Sequence, residues 1–206
     1  MKPFYSIVIA VYNRENHIGK AIDSLLIQSF ENWEAIVVDD GSTDGTIDYI
    51  NSYKDESRIS IVKLDENQGV AIARNKGIER VNGKYLTFLD SDDWFKHNHL
   101  ESRYEILKNG NIDLLHGGVE IIGEQTVPDK NDTSKNIDLS DCVIGGTFFI
   151  NMKTSNKLAK FDNSIQYSED SDMFDKFVQM KKTIMKTNNK TYVYNRTLYD
   201  SICSNQ

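Results

Sequence analysis

This 206-residue chain has only two cysteines, Cys142 and Cys203, and four histidines. Neither cysteine sits in a CxxC or Cys/His cluster, and the histidines are scattered. That argues against a structural zinc site and fits a reducing cytoplasm, with room for one disulfide at most. Positive charge is also short, with 24 Lys and Arg against 31 Asp and Glu, a net charge of −7. A binder of phosphate backbones needs a Lys/Arg surface, so nucleic acid is not an expected partner. The same deficit weighs against an anionic membrane surface. No apolar run approaches the roughly 18 residues of a transmembrane helix. The short run in "MKPFYSIVIAVYNR" has Pro3 before it and no small-residue cleavage site after it, so it reads as a first strand rather than a signal peptide.

What remains is an ordinary globular composition, 39% hydrophobic and 27% charged, long enough for one sizeable core. "FYSIVIAVY" (4–12) is a continuous β-rich apolar run, as expected of a strand buried on both faces. Ile18, Ala21, Ile22, Leu25 and Leu26 then fall on one helical stripe. Strands are expected again at "WEAIVVDD", "RISIVKLD" and "KYLTFLD". Helices are expected at "STDGTIDYINSYK", with Ser42 or Thr43 near its N-cap, at "GVAIARNKGIERV", stopped by Gly83, and at "HLESRYEILKN", ended by Gly110. "DLLHGGVEII" reads as a fifth strand. Residues 123–141 are polar and read as a mobile loop. "GGTFFIN" and "KTYVYNR" read as later strands, and "QYSEDSDMFDKFVQMKK" as a loop running into a helix. Four strand–helix alternations in the first 110 residues predict a mostly parallel α/β sheet, with ligands beyond the carboxyl ends of its strands.

Those ends carry "YNR" (12–14), "DDGSTD" (39–44), "DENQG" (65–69) and "DSDD" (90–93). Two unit charges about 4 Å apart at an effective dielectric near 20 interact by roughly 4 kcal/mol. Asp90, Asp92 and Asp93 must therefore be solvated, partly protonated or neutralised. A hard divalent cation, Mn²⁺ or Mg²⁺, neutralises such a cluster and leaves positions open for substrate phosphates. A plain turn followed by a helix cap accounts for the same residues. Asp39 and Asp40, at a second strand end on the same sheet edge, favour the functional reading.

Six segments in order complete the pattern: "SIVIAVYNR", "LLIQSFENWEAIVVDDGSTDGT", "NQGVAIARNKGI", "YLTFLDSDDW", "GGTFFI" and "YSEDSDMF". Together they span nearly the whole chain, which resembles the family 2 inverting glycosyltransferases. The resemblance implies the GT-A fold, a Rossmann-like nucleotide-diphospho-sugar transferase architecture, as a single catalytic domain over 1–206. Residues 1–115 would form its nucleotide-binding half and 116–206 its acceptor-binding half. It assigns Ala10, Tyr12, Asn13, Asp40, Arg74, Asp90 and Ser91 to the nucleotide. Tyr12 would line the base slot, Asp40 would accept the imide N–H of uracil, and Asp39 would shape the turn. Asp92, with Asp90, would hold Mn²⁺ or Mg²⁺, while Asp93 would cap the next helix. Asp170 would be the general base and Glu169 its neighbour on the acceptor side. The implied partners are a nucleotide-sugar donor, of UDP type, and a saccharide or lipid-linked saccharide acceptor. The implied place is the cytoplasm, at the inner face of a membrane.

Departures and rivals narrow this reading. Leu198 stands where relatives carry a histidine between Arg196 and Ser201. No Gln-x-x-Arg-Trp motif or membrane helix of a processive synthase is present, so single-sugar transfer is expected. A haloacid-dehalogenase phosphatase would want Thr or Val where Trp94 stands, and would carry its DxD on the first strand. A nucleotidyltransferase would want a Gly-rich phosphate loop after the first strand, and "AVYNRENH" has none. A degenerate relative that only binds a nucleotide or a partner is the non-enzymatic alternative.

Overall fold

The computed structural model describes residues 2–129, 132, 134–165 and 168–197. In chain order the elements begin β1 (Tyr5–Val11), α1 (Ile18–Leu26), β2 (Trp33–Asp39), α2 (Thr46–Asn51), β3 (Ile59–Lys63), α3 (Val70–Ile78), β4 (Tyr85–Phe88) and β5 (Trp94–Phe95). They continue with α4 (His99–Leu107), β6 (Leu114–His116), β7 (Val119–Gly123), β8 (Thr126–Pro128), β9 (Asn136–Asp138), β10 (Phe149–Asn151), α5 (Glu169–Gln179), β11 (Ile184–Lys186) and β12 (Tyr192–Arg196).

Seven strands form the main sheet, in the order β11-β6-β10-β4-β1-β2-β3. β4, β1, β2 and β3 run parallel, so the polar segments after them gather on one edge, and only β10 runs antiparallel to its neighbours. Both faces are covered, as an apolar parallel sheet requires. Ile7, Ile9 and Val37 pack with Ile18, Ile22 and Leu25 of α1, Ile50 of α2, and Leu100 and Leu107 of α4. Val8, Ile36 and Val38 pack with Ala71 and Ala73 of α3, and Met173 and Phe177 of α5. Gly77 lets α3 lie close to the sheet, since a Cβ there would meet Val8 Cγ1 at 2.5 Å. A second sheet, β5-β12-β7, stands beside the carboxyl edge. Strands from 1–115 and 116–206 share the large sheet, β10 lying between β4 and β6. No helix among the described residues is long and apolar enough to cross a membrane.

The structure departs from the sequence expectations in several places. The fifth strand is two: it breaks at Gly117 and Gly118, whose φ values of 85° and 76° turn the chain out of the large sheet and into the small one. Among the described residues of 123–141, β8 pairs antiparallel with β9 and a 3₁₀ turn follows at Leu139–Asp141, where a loop was expected. α2 starts at Thr46, with Gly45 before it, because Ser42 and Thr43 are engaged by the β1–α1 loop. α3 ends at Ile78; Gly83 instead lies against the backbone of Tyr5 and Ser6. The two-residue β5 and three-residue β11 are too short to leave a periodic signal.

Candidate active site

The first two strand ends are stitched together. Asn13, at a left-handed φ of 49°, accepts the Thr43 N–H on Oδ1 at 2.8 Å and donates its own N–H to Ser42 Oγ at 3.0 Å. The Arg14 N–H donates to Thr46 Oγ1 at 2.7 Å, and the Gly45 N–H to Glu15 Oε2 at 2.8 Å. "YNRE" and "GSTDGT" are thus one rigid surface, with Tyr12 standing 40% exposed on it. Asp40 is buried and accepts the N–H groups of Gln68 at 2.9 Å and Gly69 at 2.8 Å, which fixes the turn into α3. Asp39 is fully buried, and neither carboxylate oxygen has a hydrogen-bond partner among the described residues. Asp40 thus braces this turn, while Asp39 is enclosed at the end of β2. An orphan buried carboxylate is costly, on the order of a few kcal/mol, and marks a place where a donor is wanted.

Arg74 organises the other strand ends. Its guanidinium, only 9% exposed, donates from Nη2 to Asp90 Oδ1 at 2.6 Å and from Nη1 to Glu169 Oε1 at 2.7 Å. It also sits 5.2 Å from the Phe161 ring centre. Burial opposes its charge, but Asp90 and Glu169 more than offset this and hold it protonated far above the ordinary range. The acidic strand end and the start of α5, the latter 95 residues from Arg74, are joined through this one side chain.

Asp92 lines the cleft beside Asp90, with Arg14 and His17 the nearby groups whose charge favours its ionised form. Burial, then the Asp90 charge, pushes its carboxyl up to about 6. Asp93 does not cap the next helix, which begins after Asn98. Its fully buried carboxylate accepts the Tyr192 hydroxyl at 2.6 Å and the Asn195 N–H at 2.8 Å. Asp170 lies in the first turn of α5, entered through Ser168 at a left-handed φ of 63°. It accepts the Gly145 N–H on Oδ2 at 3.0 Å and the Ser171 N–H on Oδ1 at 2.7 Å. Burial raises it to about 6, with Glu169 adding to the shift and the two amides and Arg74 opposing it.

Ala10, Arg74, Asp90, Ser91, Asp92, Glu169 and Asp170 line one cleft, with Arg14, Val127, Leu139, Ile144 and Tyr194 as further walls. Asn13 and Asp40 do not line it; they brace the loops beside it. Arg14, Gly145, Tyr192 and Asn195 were missed as site residues, although "YNR", "GGTFFI" and the late strand each stood out in the sequence. Leu198, Ser201 and Cys203 lie outside the described residues. A divalent cation fits the donors present, because Asp92 and Asp90 offer hard oxygen ligands in a buried, acidic cleft. Among the described residues no three His, Cys, Asp or Glu side chains close a metal site. Water and substrate phosphate oxygens would have to complete the shell.

The sequence profile of Glycosyl transferase family 2 matches residues 6–187. The chain belongs to this family. Among family relatives, it is 41% identical over 128 residues to the "Putative teichuronic acid biosynthesis glycosyltransferase TuaG" of Bacillus subtilis, covering 62% of this chain and 51% of that protein. An uncharacterized glycosyltransferase of Haemophilus influenzae is 35% identical over 191 residues, or 89% of this chain and 75% of that protein. The Escherichia coli "UDP-Glc:alpha-D-GlcNAc-diphosphoundecaprenol beta-1,3-glucosyltransferase WfgD" is 35% identical over 144 residues, or 68% and 56%. This family 2 chain thus spans about half the length of two of these three relatives. Its fold is that of the GT-A glycosyltransferases. Staphylococcus aureus TarS 1-349 in complex with UDP-GlcNAc superposes with a TM-score of 0.76 at 21% identity, over 98% of this chain and 61% of that one. The mannosyltransferase PcManGT of Pyrobaculum calidifontis, in complex with GDP-Man and Mn²⁺, gives 0.73 at 18% identity, over 94% and 57%.

Proposed function

We propose that this chain is the catalytic domain of an inverting, divalent-metal-dependent glycosyltransferase. It moves a sugar from a UDP-sugar to an acceptor hydroxyl in the synthesis of a surface polysaccharide or related glycoconjugate. The observation that carries the reading is the Arg74 bridge: Asp90 and Glu169 share one buried guanidinium, so the acidic strand end and Asp170 face one cleft.

The chemistry follows from what each side chain can do. Asp170, held by two backbone amides, takes the proton of the acceptor hydroxyl on a carboxylate oxygen. The hydroxyl oxygen attacks the anomeric carbon, the diphosphate leaves from the opposite face, and configuration inverts. Glu169, fixed by Arg74, orients the acceptor beside Asp170. Asp92 and Asp90 would hold Mn²⁺ or Mg²⁺, which when bound supplies charge stabilisation for the leaving diphosphate. Tyr12 offers a face to the base. Asp40 would accept the imide N–H, since each of its oxygens takes one backbone N–H and keeps a further lone pair. Ala10 and Ser91 present small side chains to the donor.

The donor reading is supported by the names of WfgD and the TarS complex, which print UDP-Glc and UDP-GlcNAc. The polysaccharide setting is supported by the name of TuaG, and a lipid-linked acceptor by that of WfgD, a diphosphoundecaprenol glucosyltransferase; the cytoplasmic membrane face is the place such an acceptor would require. Titration calorimetry with UDP, with Mn²⁺ and then with EDTA, tests the site. Wild-type protein is expected to bind UDP more tightly with Mn²⁺. Asp92→Ala is expected to bind no more tightly with Mn²⁺ than with EDTA. A wild-type UDP affinity indifferent to the metal would overturn the reading.

A further inference from the structure

Beyond the Gly145 N–H that holds Asp170, the Gly145–Gly146 pair and the late strand have no part in the scheme above, yet both touch its acidic groups. Gly145 and Gly146 open a 3₁₀ turn, Gly145–Thr147. On one side the Gly145 N–H bonds Asp170, and a Cβ at Gly145 would sit 2.9 Å from the Asp170 Cβ. On the other, a Cβ at Gly146 would collide with the Tyr192 hydroxyl. That hydroxyl donates to Asp93 Oδ2 at 2.6 Å and accepts the Asp90 N–H at 3.4 Å. Asn195, three residues on, closes the loop from the far side: its N–H bonds Asp93 Oδ1 at 2.8 Å and its side-chain amide donates to the Asp92 carbonyl at 3.3 Å.

We propose that Asp93, Tyr192 and Asn195 form a clamp that fixes Asp90 and Asp92 against the Gly145–Gly146 turn, and so sets their position relative to Asp170. Tyr192 is then a positioning residue for metal binding and transfer, and the third aspartate of "DSDD" is a buried anchor rather than a ligand. The clamp is rigid because its supports are buried. Tyr192 is fully buried and packs edge-on to Phe95 at 5.7 Å. The neighbouring Thr191 hydroxyl is held by Arg103 Nη1 at 2.8 Å and contacts His99 Nδ1 at 2.9 Å. Glycine is required at both turn positions because neither the Asp170 Cβ nor the Tyr192 ring leaves room for a side chain.

The inference rests on the proposed metal-dependent reading, and one titration separates the two. Mn²⁺ affinity is measured by electron paramagnetic resonance at saturating UDP, beside transfer rate and melting temperature. Tyr192→Phe keeps the ring and removes only the hydroxyl. It is expected to weaken Mn²⁺ binding by about tenfold or more, the usual scale for groups that orient a metal ligand. The transfer rate should fall with it, and metal-free UDP binding should stay unchanged. Asn195→Ala, which opens no core cavity, is expected to shift Mn²⁺ affinity in the same direction by less, and decides the matter if Tyr192→Phe does not fold. Wild-type Mn²⁺ affinity in a folded variant would overturn the clamp, even if the melting temperature fell. A wild-type protein whose UDP complex takes up no Mn²⁺ would overturn the underlying reading and the clamp together.

Discussion

Asp170→Asn is expected to lower sugar transfer by about 10²- to 10⁴-fold, the range general-base catalysis supplies, with UDP–Mn²⁺ affinity unchanged. Asparagine preserves the shape and accepts one of the two backbone N–H bonds, from Gly145 or Ser171, but it cannot take the acceptor's proton. Wild-type activity should carry a pH signature. Burial lifts Asp170 to about 6, and the base must be ionised, so kcat/KM for the acceptor rises through pH about 6 and then levels. The residual rate of Asp170→Asn should lack that limb. Stability moves the other way. A carboxyl whose folded value lies above its unfolded 3.8 favours the native state most when protonated, so its contribution is full below pH about 4 and is lost as pH rises through about 6. Asp92, also raised to about 6, acts in the same sense. Replacing Asp170 by a neutral isostere removes its share of that loss. The variant should be more stable than wild type at pH 7.5, by on the order of 1 kcal/mol given its partly open position, and no more stable at pH 4. Equal loss of transfer and UDP binding would mean that Asp170 holds the donor and is not the base.

The parallel half of the fold was legible because its signals are local. Apolar runs at Tyr5–Val11 and Trp33–Asp39 and the single stripe of α1 need no tertiary context. α3 has no apolar stripe, and its buried side chains include Arg74 and Asn75. It was expected from the segment ahead of Gly83, and its polar burial is explained only by partners far along the chain. The same holds for the site. "DSDD" announced an acidic cluster, yet nothing local separates Asp92, open to the cleft, from Asp93, consumed by Tyr192 and Asn195 about 100 residues away. Asp39 and Asp40 are adjacent, and their roles divide only because the strand points one carboxylate into the interior and the other at the amides of Gln68 and Gly69. The break at Gly117–Gly118 was visible as two glycines, but its consequence, a second sheet that carries the Tyr192 clamp, depends on pairing between β7 and β12.

Arg74→Ala carries the largest expected cost in stability. One guanidinium neutralises Asp90 and Glu169 at 2.6 and 2.7 Å, and its loss leaves two half-buried carboxylates facing each other with Asp170 nearby. Removing one partner of a buried ion pair costs about 3–5 kcal/mol, against a total stability of about 5–15 kcal/mol for a native domain. The variant should therefore unfold at a clearly lower urea concentration. Function should suffer beyond stability, because Arg74 is what holds the acidic strand end and the Asp170 turn at one spacing. At a temperature where the variant is folded, Mn²⁺-dependent UDP binding and transfer should both fall. Arg74→Lys tests the geometry apart from the charge. A single ammonium keeps the positive charge but lacks the planar fork that serves two carboxylates at once. It should recover most of the stability and only part of the transfer rate. Full recovery of transfer by lysine would show that charge alone matters and that the two-pronged bridge does not set the cleft.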